Sequence, residues 1–405
     1  MVKHSYLPLF QYTGATLRMI GATLIKHIAT LPGTCVCSTQ NIRAFTRLQG
    51  ETIAEEEAPP AAAYVSIQLQ GDALQSATLV DHSVQGATIP VEHDDPAQTL
   101  LHWLQREARL RHLHFIAASV LEDERFDNIN SRLWLEEDIV PFILSKKDPL
   151  AQLPLTALVW LIAARFNDEH IAHPEITPER EVLVTQLVTL AEYQRITQPA
   201  EFELLTRLAR AYQGKRLIFI NATPQGGGVA LMRHALIRLL RLLHVDAHWY
   251  VLVPSKAAFD ITKTKFHNVL QAVASQGTEL TEHDVIVYDD WMFQNAEILR
   301  PALQAADVIV IDDPQPSGLI PYIKRFNPAA KIIYRSHIQI EGALASQAGT
   351  PQHTTWQFLW QNIQQADLFI SHPIKSFIPS DVPSEKILYM PATTDPLDGL
   401  NKPLT

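Results

Sequence analysis

Leu217-Ile218-Phe219-Ile220-Asn221-Ala222-Thr223-Pro224-Gln225-Gly226-Gly227-Gly228-Val229-Ala230 carries the most informative local pattern in the chain. Its four leading apolar residues suit a strand buried on both faces. From Val229 to Leu243 the apolar residues take a helical period. Between the two stand three adjacent glycines, in a chain that has only 15. Glycine has no Cβ, so the backbone can turn sharply there and approach a ligand closely. The amides that follow open a helix, whose N-terminus carries roughly half a positive charge and favours phosphate. The turn also lies at the carboxyl end of a strand, where open α/β sheets bind their ligands.

Two nucleotide loops fit poorly. A Walker loop requires a lysine after its last glycine, and Val229 stands there. In a dinucleotide fingerprint starting at Gly226 and Gly228, Leu231 occupies the place of the third glycine. A nicotinamide enzyme is therefore disfavoured.

Outward from this turn the chain alternates strand and helix. Strands are expected at His248–Val253, Val285–Tyr288, Val308–Ile311, Ile332–Tyr334, Leu368–Ile370 and Ile387–Tyr389. Helices are expected at Lys256–Val273 with a break near Thr264, and at Trp291–Ala305, Leu319–Arg325 and Trp356–Gln365. Such alternation means a doubly wound parallel sheet. That α/β domain is drawn over residues 213–393, with 394–405 leading out of it. Upstream, Tyr64–Leu69 alternates with period two, and Ser76–Leu79 and Ala87–Val91 add neighbouring strands. Helices fit the chain from Asp95 and the ranges Ile129–Ile143, Pro154–Phe166, Pro178–Tyr193 and Pro199–Tyr212, several opening on proline. Residues 62–212 thus read as a small strand-bearing segment followed by helices. Residues 1–61 read as a leader and linker. The first fifty contain basic residues but no Asp or Glu, as an organelle transit peptide would, and Glu55–Ala61 is linker-like.

Composition narrows the function classes. Apolar residues make up 47% and charged residues 19%, so sizeable cores are available. A formal net charge of -10 argues against broad nucleic-acid binding. The two cysteines, Cys35 and Cys37, form neither a zinc nor a thioredoxin pattern and point to a reducing, cytoplasmic compartment. The longest apolar run, Leu153–Ala164, is too short to span a bilayer. No metal site is expected, since nothing completes the pair His112 and His114.

The run Thr223–Ala230, with Met232, Arg233 and His234 behind it, resembles the signature of the retaining trehalose phosphorylases and trehalose synthases, glycosyltransferases of GT-B type. Collinear blocks extend the resemblance: Val245–Trp249, Thr262–Gln271, Asp312–Leu319, Tyr334–Ile338 and Pro391–Pro396. It is dense over 216–402, weaker over 100–215 and absent before 62. The resemblance implies two Rossmann-like halves facing a cleft, the first holding the acceptor sugar and the second most of the donor. It implies reversible, retaining phosphorolysis of α,α-trehalose to glucose and α-glucose 1-phosphate, without a cofactor. The related reaction is synthesis from a nucleotide-glucose and glucose. It also suggests a homodimer. The chain stops at Thr405. The donor half is therefore expected to lie outside it, and this half alone is expected to be inactive or to act as a non-catalytic sugar-binding domain.

Gly226, Gly227 and Gly228 are expected to offer amides to phosphate or the transferred group. Asp313 and Gln315 follow a strand between Pro314 and Pro316, which suits hydrogen bonding to sugar hydroxyls. The neighbouring Asp312 reads equally well as a capping residue. Arg335 and His337 end the next strand and share a face. Arg335 suits phosphate, and His337 suits a sugar hydroxyl or the departing oxygen. Asp313 and His337 are the expected catalytic pair. Lys263 and Lys265 are expected in a basic loop at the cleft, and His234 in packing. No carboxylate is placed as a covalent nucleophile.

Overall fold

The computed structural model describes residues 59–401. The leader, most of the linker and both cysteines lie outside the described residues. The chain divides into two compact units, one of residues 59–173, 185–196 and 396–401, the other of 174–184 and 197–395.

The first unit is built on a five-stranded sheet, in the order β3-β2-β1-β4-β5. Strands β1 (Ala61–Gln70), β2 (Ala73–Val80) and β3 (Ser83–Pro90) form an antiparallel meander. Helix α1 (Pro96–Arg111) carries the chain to β4 (Leu113–Leu121), which runs parallel to β1. Helix α2 (Ile129–Leu135) then leads to β5 (Val140–Leu144), parallel to β4. Helices α3 (Leu155–Ala163) and α4 (Leu190–Ile196) complete the unit. Asp95 caps α1 by accepting from the Gln98 amide at 2.8 Å. Leu100, Leu101, Trp103 and Leu104 of α1 are buried against Val65, Ile67, Phe115 and Val120 of the sheet.

Three expectations are corrected here. Leu113–Leu121, unassigned in the sequence reading, is a strand inside the sheet. Ile129–Ile143 is not one helix: it breaks after Leu135, passes Asp138 at φ +57°, and ends as β5. Pro178–Tyr193 is not helical until Leu190. Its first part instead supplies β7 (Val182–Leu183), which pairs with the preceding β6 (Glu175–Ile176) in a hairpin that belongs to the other unit.

In the second unit, helix α5 (Pro199–Ala211) follows the hairpin and precedes the sheet. Strand β8 (Arg216–Asn221) leads through the glycines into α6 (Gly228–Leu242) and on to β9 (Asp246–Val251). Helix α7 (Lys256–Ile261) continues as a π-helical turn, Thr262–His267. Then come α8 (Glu282–Ala305), β10 (Val308–Asp312), α9 (Ile320–Phe326), β11 (Lys331–Arg335), α10 (Pro351–Ile363), β12 (Leu368–Ser371) and β13 (Ile387–Tyr389). All six strands are parallel, in the order β13-β12-β11-β10-β8-β9. Val285–Tyr288, expected as a strand, is instead the first turns of α8. A capping box between Thr281 and Asp284 starts that helix.

Alternate strand residues feed two faces. Ile218, Ile220, Ile309, Ile311, Ile332 and Tyr334 meet Tyr288, Met292, Leu299 and Trp356 of α8 and α10. On the opposite face Phe219 lies beneath Arg233 of α6. The unit is a Rossmann-like, doubly wound sheet. From β8 the chain first adds β9 on one side, then crosses to β10 on the other. The strand order therefore reverses between β8 and β10, and that switch point is where such sheets leave a crevice at the strand ends.

The β9 edge is covered by the β6–β7 hairpin, and an ionic knot ties the two together. His248 of β9 sits 2.7 Å from the Glu181 carboxylate and 2.8 Å from that of Asp246. Arg241 of α6 also donates to Glu181, and Arg216 of β8 to Asp246. Tyr250 stacks loosely on the imidazole, and its phenol is pushed up to about 12 by burial and by Glu181. The Glu181 bond raises the His248 pKa, against burial and with help from Asp246. A raised histidine contributes stability that is complete below its unfolded pKa of about 6.5 and is lost as pH rises through the folded value. The urea midpoint of the chain is therefore expected to fall from pH 6 towards pH 9. His248→Gln should flatten that slope, as pH-dependent urea titrations would reveal.

Candidate functional site

The carboxyl ends of β8, β10 and β11 carry most of the predicted residues. At β8, Asn221 anchors the loop: its Oδ1 accepts from Trp249 Nε1 at 2.6 Å, and its Nδ2 donates to the Thr223 carbonyl at 3.0 Å. Thr223 Oγ1 donates to the Gln225 carbonyl. His234 stands edge-on to Trp249 with Nε2 3.2 Å from the Pro224 carbonyl, so it packs and braces the loop. Gly226 turns at φ +84°, a conformation that L side chains rarely adopt. Gly227 is the N-cap of α6 and Gly228 its first residue. All three glycines are exposed, and a Cβ on any of them would meet nothing within 4 Å. No side chain caps α6, and Leu231 makes its first bond back, to the Gly227 carbonyl. The amides of Gly228, Val229 and Ala230 thus precede the helical ladder, the arrangement that receives anions.

A buried polar set lies at the ends of the adjacent strands. Arg233, on the second turn of α6, grips Asp312 at the end of β10 with two bonds: Nε to Oδ2 at 2.6 Å and Nη2 to Oδ1 at 2.5 Å. Neither side chain has any solvent exposure. Asp312 Oδ1 also lies 2.8 Å from His337 Nε2. Burial would push the Asp312 carboxyl up, but Arg233 and His337 outweigh it and hold the group well below the ordinary carboxylate range. Asp312 is therefore not a capping residue.

Asp313 adopts φ +68°, a left-handed conformation that aspartate tolerates better than most residues. Its amide donates to the Arg335 carbonyl at 2.8 Å, and its Oδ1 accepts from the His337 amide at 2.7 Å. The carboxylate thus fixes the backbone of the next strand end. Its pKa is raised, burial outweighing His337.

Arg335 is 3% exposed, and the one hydrogen bond of its side chain among the described residues is a long one, 3.4 Å, to the Pro391 carbonyl. Burial and the nearby Arg233 push its pKa down to about 9, so it remains cationic at neutral pH. A buried cation with so few partners is suited to an anion. The His337 side chain is 6% exposed. Burial and Arg335 lower its pKa despite Asp312 and Asp313, so the imidazole is neutral at pH 7.

Several buried polar atoms here have no hydrogen-bond partner among the described residues: Arg233 Nη1, Gln315 Oε1, Tyr334 OH, His337 Nδ1 and Ser371 Oγ. Interiors rarely leave such groups unpaired, and a local concentration of them suits a ligand or ordered water. Gln315 follows β10 in a short 3-10 turn and faces His267, whose pKa burial lowers to about 4.

The structure places the glycines, Asp313, Gln315, Arg335 and His337 at the carboxyl ends of neighbouring strands, β8, β10 and β11. Lys263 and Lys265 differ from expectation, standing in the π-helical turn rather than a loop. Lys263 is exposed, while Lys265 pairs with Asp284. Two members went unassigned in the sequence, Arg233 as the partner of Asp312 and Asp312 as the partner of His337. A signal existed: Arg233 falls three residues after Ala230 and four before Ile237, on a helix face otherwise apolar. An arginine there calls for a buried carboxylate.

Residues 219–379 match the family described as trehalose synthase, N-terminal domain. The trehalose phosphorylase of Pleurotus pulmonarius is 45% identical over 240 residues, which is 58% of this chain and 32% of that protein. That of Pleurotus sajor-caju is 48% identical over 222 residues, 53% of this chain and 29% of that protein. The trehalose synthase of Thermococcus litoralis is 32% identical over 216 residues, 53% of this chain and 48% of that protein. The chain thus spans about a third of these phosphorylases and about half of the synthase. Over residues 219–379 this chain is thus similar to the trehalose synthase N-terminal domain, and the relatives it resembles are trehalose phosphorylases and trehalose synthases.

Proposed function

We propose that residues 213–393 form the acceptor half of a retaining glucosyl-transferring enzyme, and that 394–405 begin the passage to a donor half. The reaction is reversible phosphorolysis of α,α-trehalose to glucose and α-glucose 1-phosphate. The observation that carries this reading is the presence, at the carboxyl ends of β8 and β11, of an uncapped glycine helix start, the under-bonded Arg335 side chain and a His337 ring whose Nδ1 has no partner among the described residues. The first two suit phosphate; the third suits a sugar hydroxyl. Asp313 and Gln315 add a carboxylate and an amide for further hydroxyls. Catalysis would rest on positioning and on fixed dipoles rather than on a covalent carboxylate nucleophile.

Identity favours phosphorolysis over synthesis from a nucleotide-glucose, being 45% to a phosphorylase and 32% to a synthase. The test incubates the full-length protein, carrying the proposed donor half, with trehalose, with and without inorganic phosphate, and measures glucose and glucose 1-phosphate. Phosphate-dependent release of both is expected. Turnover of a nucleotide-glucose with glucose, but none with phosphate, would instead select the synthase reaction. Calorimetric binding of glucose or trehalose without either turnover would mark a non-catalytic sugar-binding domain.

A further inference from the structure

We propose that Asp312, clamped by Arg233, is a positioning residue that locks His337 in a single tautomer, with Nε2 protonated and Nδ1 free to receive a proton. The proposal deepens the functional reading above and rests on it only for what meets Nδ1.

Asp312 Oδ1 lies 2.8 Å from His337 Nε2 and also accepts from Arg233 Nη2; Oδ2 accepts from Arg233 Nε. A carboxylate so engaged is ionised and can only accept. The ring nitrogen facing it must then carry the hydrogen. Because the imidazole is neutral, the second nitrogen holds a lone pair. That atom is Nδ1, buried and without a partner among the described residues. The lock is stiff at both ends. Arg233 and Asp312 are wholly buried, and the Arg233 guanidinium lies 4.5 Å from the centre of the Phe219 ring. The His337 amide is held by Asp313 and its carbonyl lies 3.0 Å from His372 Nε2, so the backbone cannot swing the ring away.

The chemical consequence is directional. When the acceptor sugar oxygen bonds to C1 of the transferred glucosyl group and the bond from C1 to the phosphate oxygen breaks, the hydroxyl proton passes to Nδ1. In the synthetic direction Nδ1 then passes that proton to the released phosphate; in phosphorolysis the entering phosphate gives a proton to Nδ1, which hands it to the departing sugar oxygen as a phosphate oxygen bonds to C1. Nε2 keeps its hydrogen throughout, and Asp312 stabilises the imidazolium between the two events. A site with the reverse tautomer would present an N–H at Nδ1 and could not take that proton.

The test uses the whole chain labelled with nitrogen-15 in its histidine rings. The His337 signals are identified by their loss in His337→Gln. Of the two ring nitrogens, only Nε2 couples to both ring C–H protons, which separates it from Nδ1. At pH 7.5 the expected pattern is a protonated Nε2 and a bare Nδ1; a protonated Nδ1 overturns the lock whatever the site binds. Asp312→Asn alone turns an amide N–H towards Arg233 and endangers folding, so the second sample is Arg233→Met with Asp312→Asn. There the amide can donate or accept, and the two nitrogen shifts are expected to move towards each other. Unchanged shifts in that variant would mean that Asp312 does not set the tautomer. Glucose is then added to the native protein. A moved Nδ1 signal supports the sugar-facing role. An unmoved one with the lock intact overturns that role, and with it the functional reading rather than the lock.

Discussion

Replacing Arg233 with methionine is expected to destabilise the unit built on β8–β13 by about 3–5 kcal/mol, the usual cost of leaving one member of a buried ion pair alone. The guanidinium and the Asp312 carboxylate have no solvent exposure, so water cannot take over either role. Methionine retains much of the packing against Phe219 but supplies no donor. Asp312 would then keep a single strong partner, His337, and its carboxyl would rise from well below the ordinary range. Hydrogen exchange of the β8 and β10 amides reads the loss directly, because core strands exchange through the full opening of their unit. Adding Asp312→Leu should restore part of the stability, since a buried pair replaced by apolar residues is often neutral. It should not restore all of it: His337 Nε2–H would lose its acceptor, a cost of about 1–3 kcal/mol. Exchange rates in the single variant equal to those of the native chain would show that the pair contributes no stability.

That pair also marks the limit of what the sequence discloses. The alternation of apolar strands with helices over 216–393 is local, and so the parallel sheet is legible. So is the glycine turn, because three adjacent glycines at a strand end have few other uses. Local signals mislead where two elements abut without Gly or Pro. Leu113–Leu121 follows α1 directly, through His112 in the left-handed region at φ +54°, so nothing in the letters marks the change of period. Val285–Tyr288 is β-branched and apolar, yet it belongs to a helix whose buried face runs through Asp284, Tyr288, Met292, Asn295, Leu299 and Leu303. Its capping box was the stronger local cue. Asp312 pairs with an arginine 79 positions earlier, and no local rule reaches that far. Only the burial of Arg233 within an apolar helix face hinted that a carboxylate had to meet it.

Substituting His337 with glutamine is expected to lower kcat/KM for phosphorolysis by about 10²–10⁴, the range contributed by a positioned proton-transfer group, while leaving the fold nearly intact. The glutamine amide can donate to Asp312 as Nε2–H does, so the buried carboxylate stays satisfied. It has no atom that can stand for Nδ1. Asparagine reverses the loss: its shorter amide lies near the place of Nδ1 but cannot reach Asp312. The two substitutions therefore separate proton exchange from support. Glutamine should reduce kcat with a small change in stability, and asparagine should do more harm to stability. The pH profile adds a second reading. Burial and Arg335 hold the His337 pKa below its ordinary value, so the acidic limb of the native profile in the synthetic direction belongs below pH 6.5. That limb should vanish in the glutamine variant. Steady-state rates measured with saturating phosphate in one direction and saturating glucose 1-phosphate in the other, alongside a urea titration of each variant, decide the matter. A glutamine variant with native kcat/KM would remove His337 from the chemistry and leave it the task of holding Asp312.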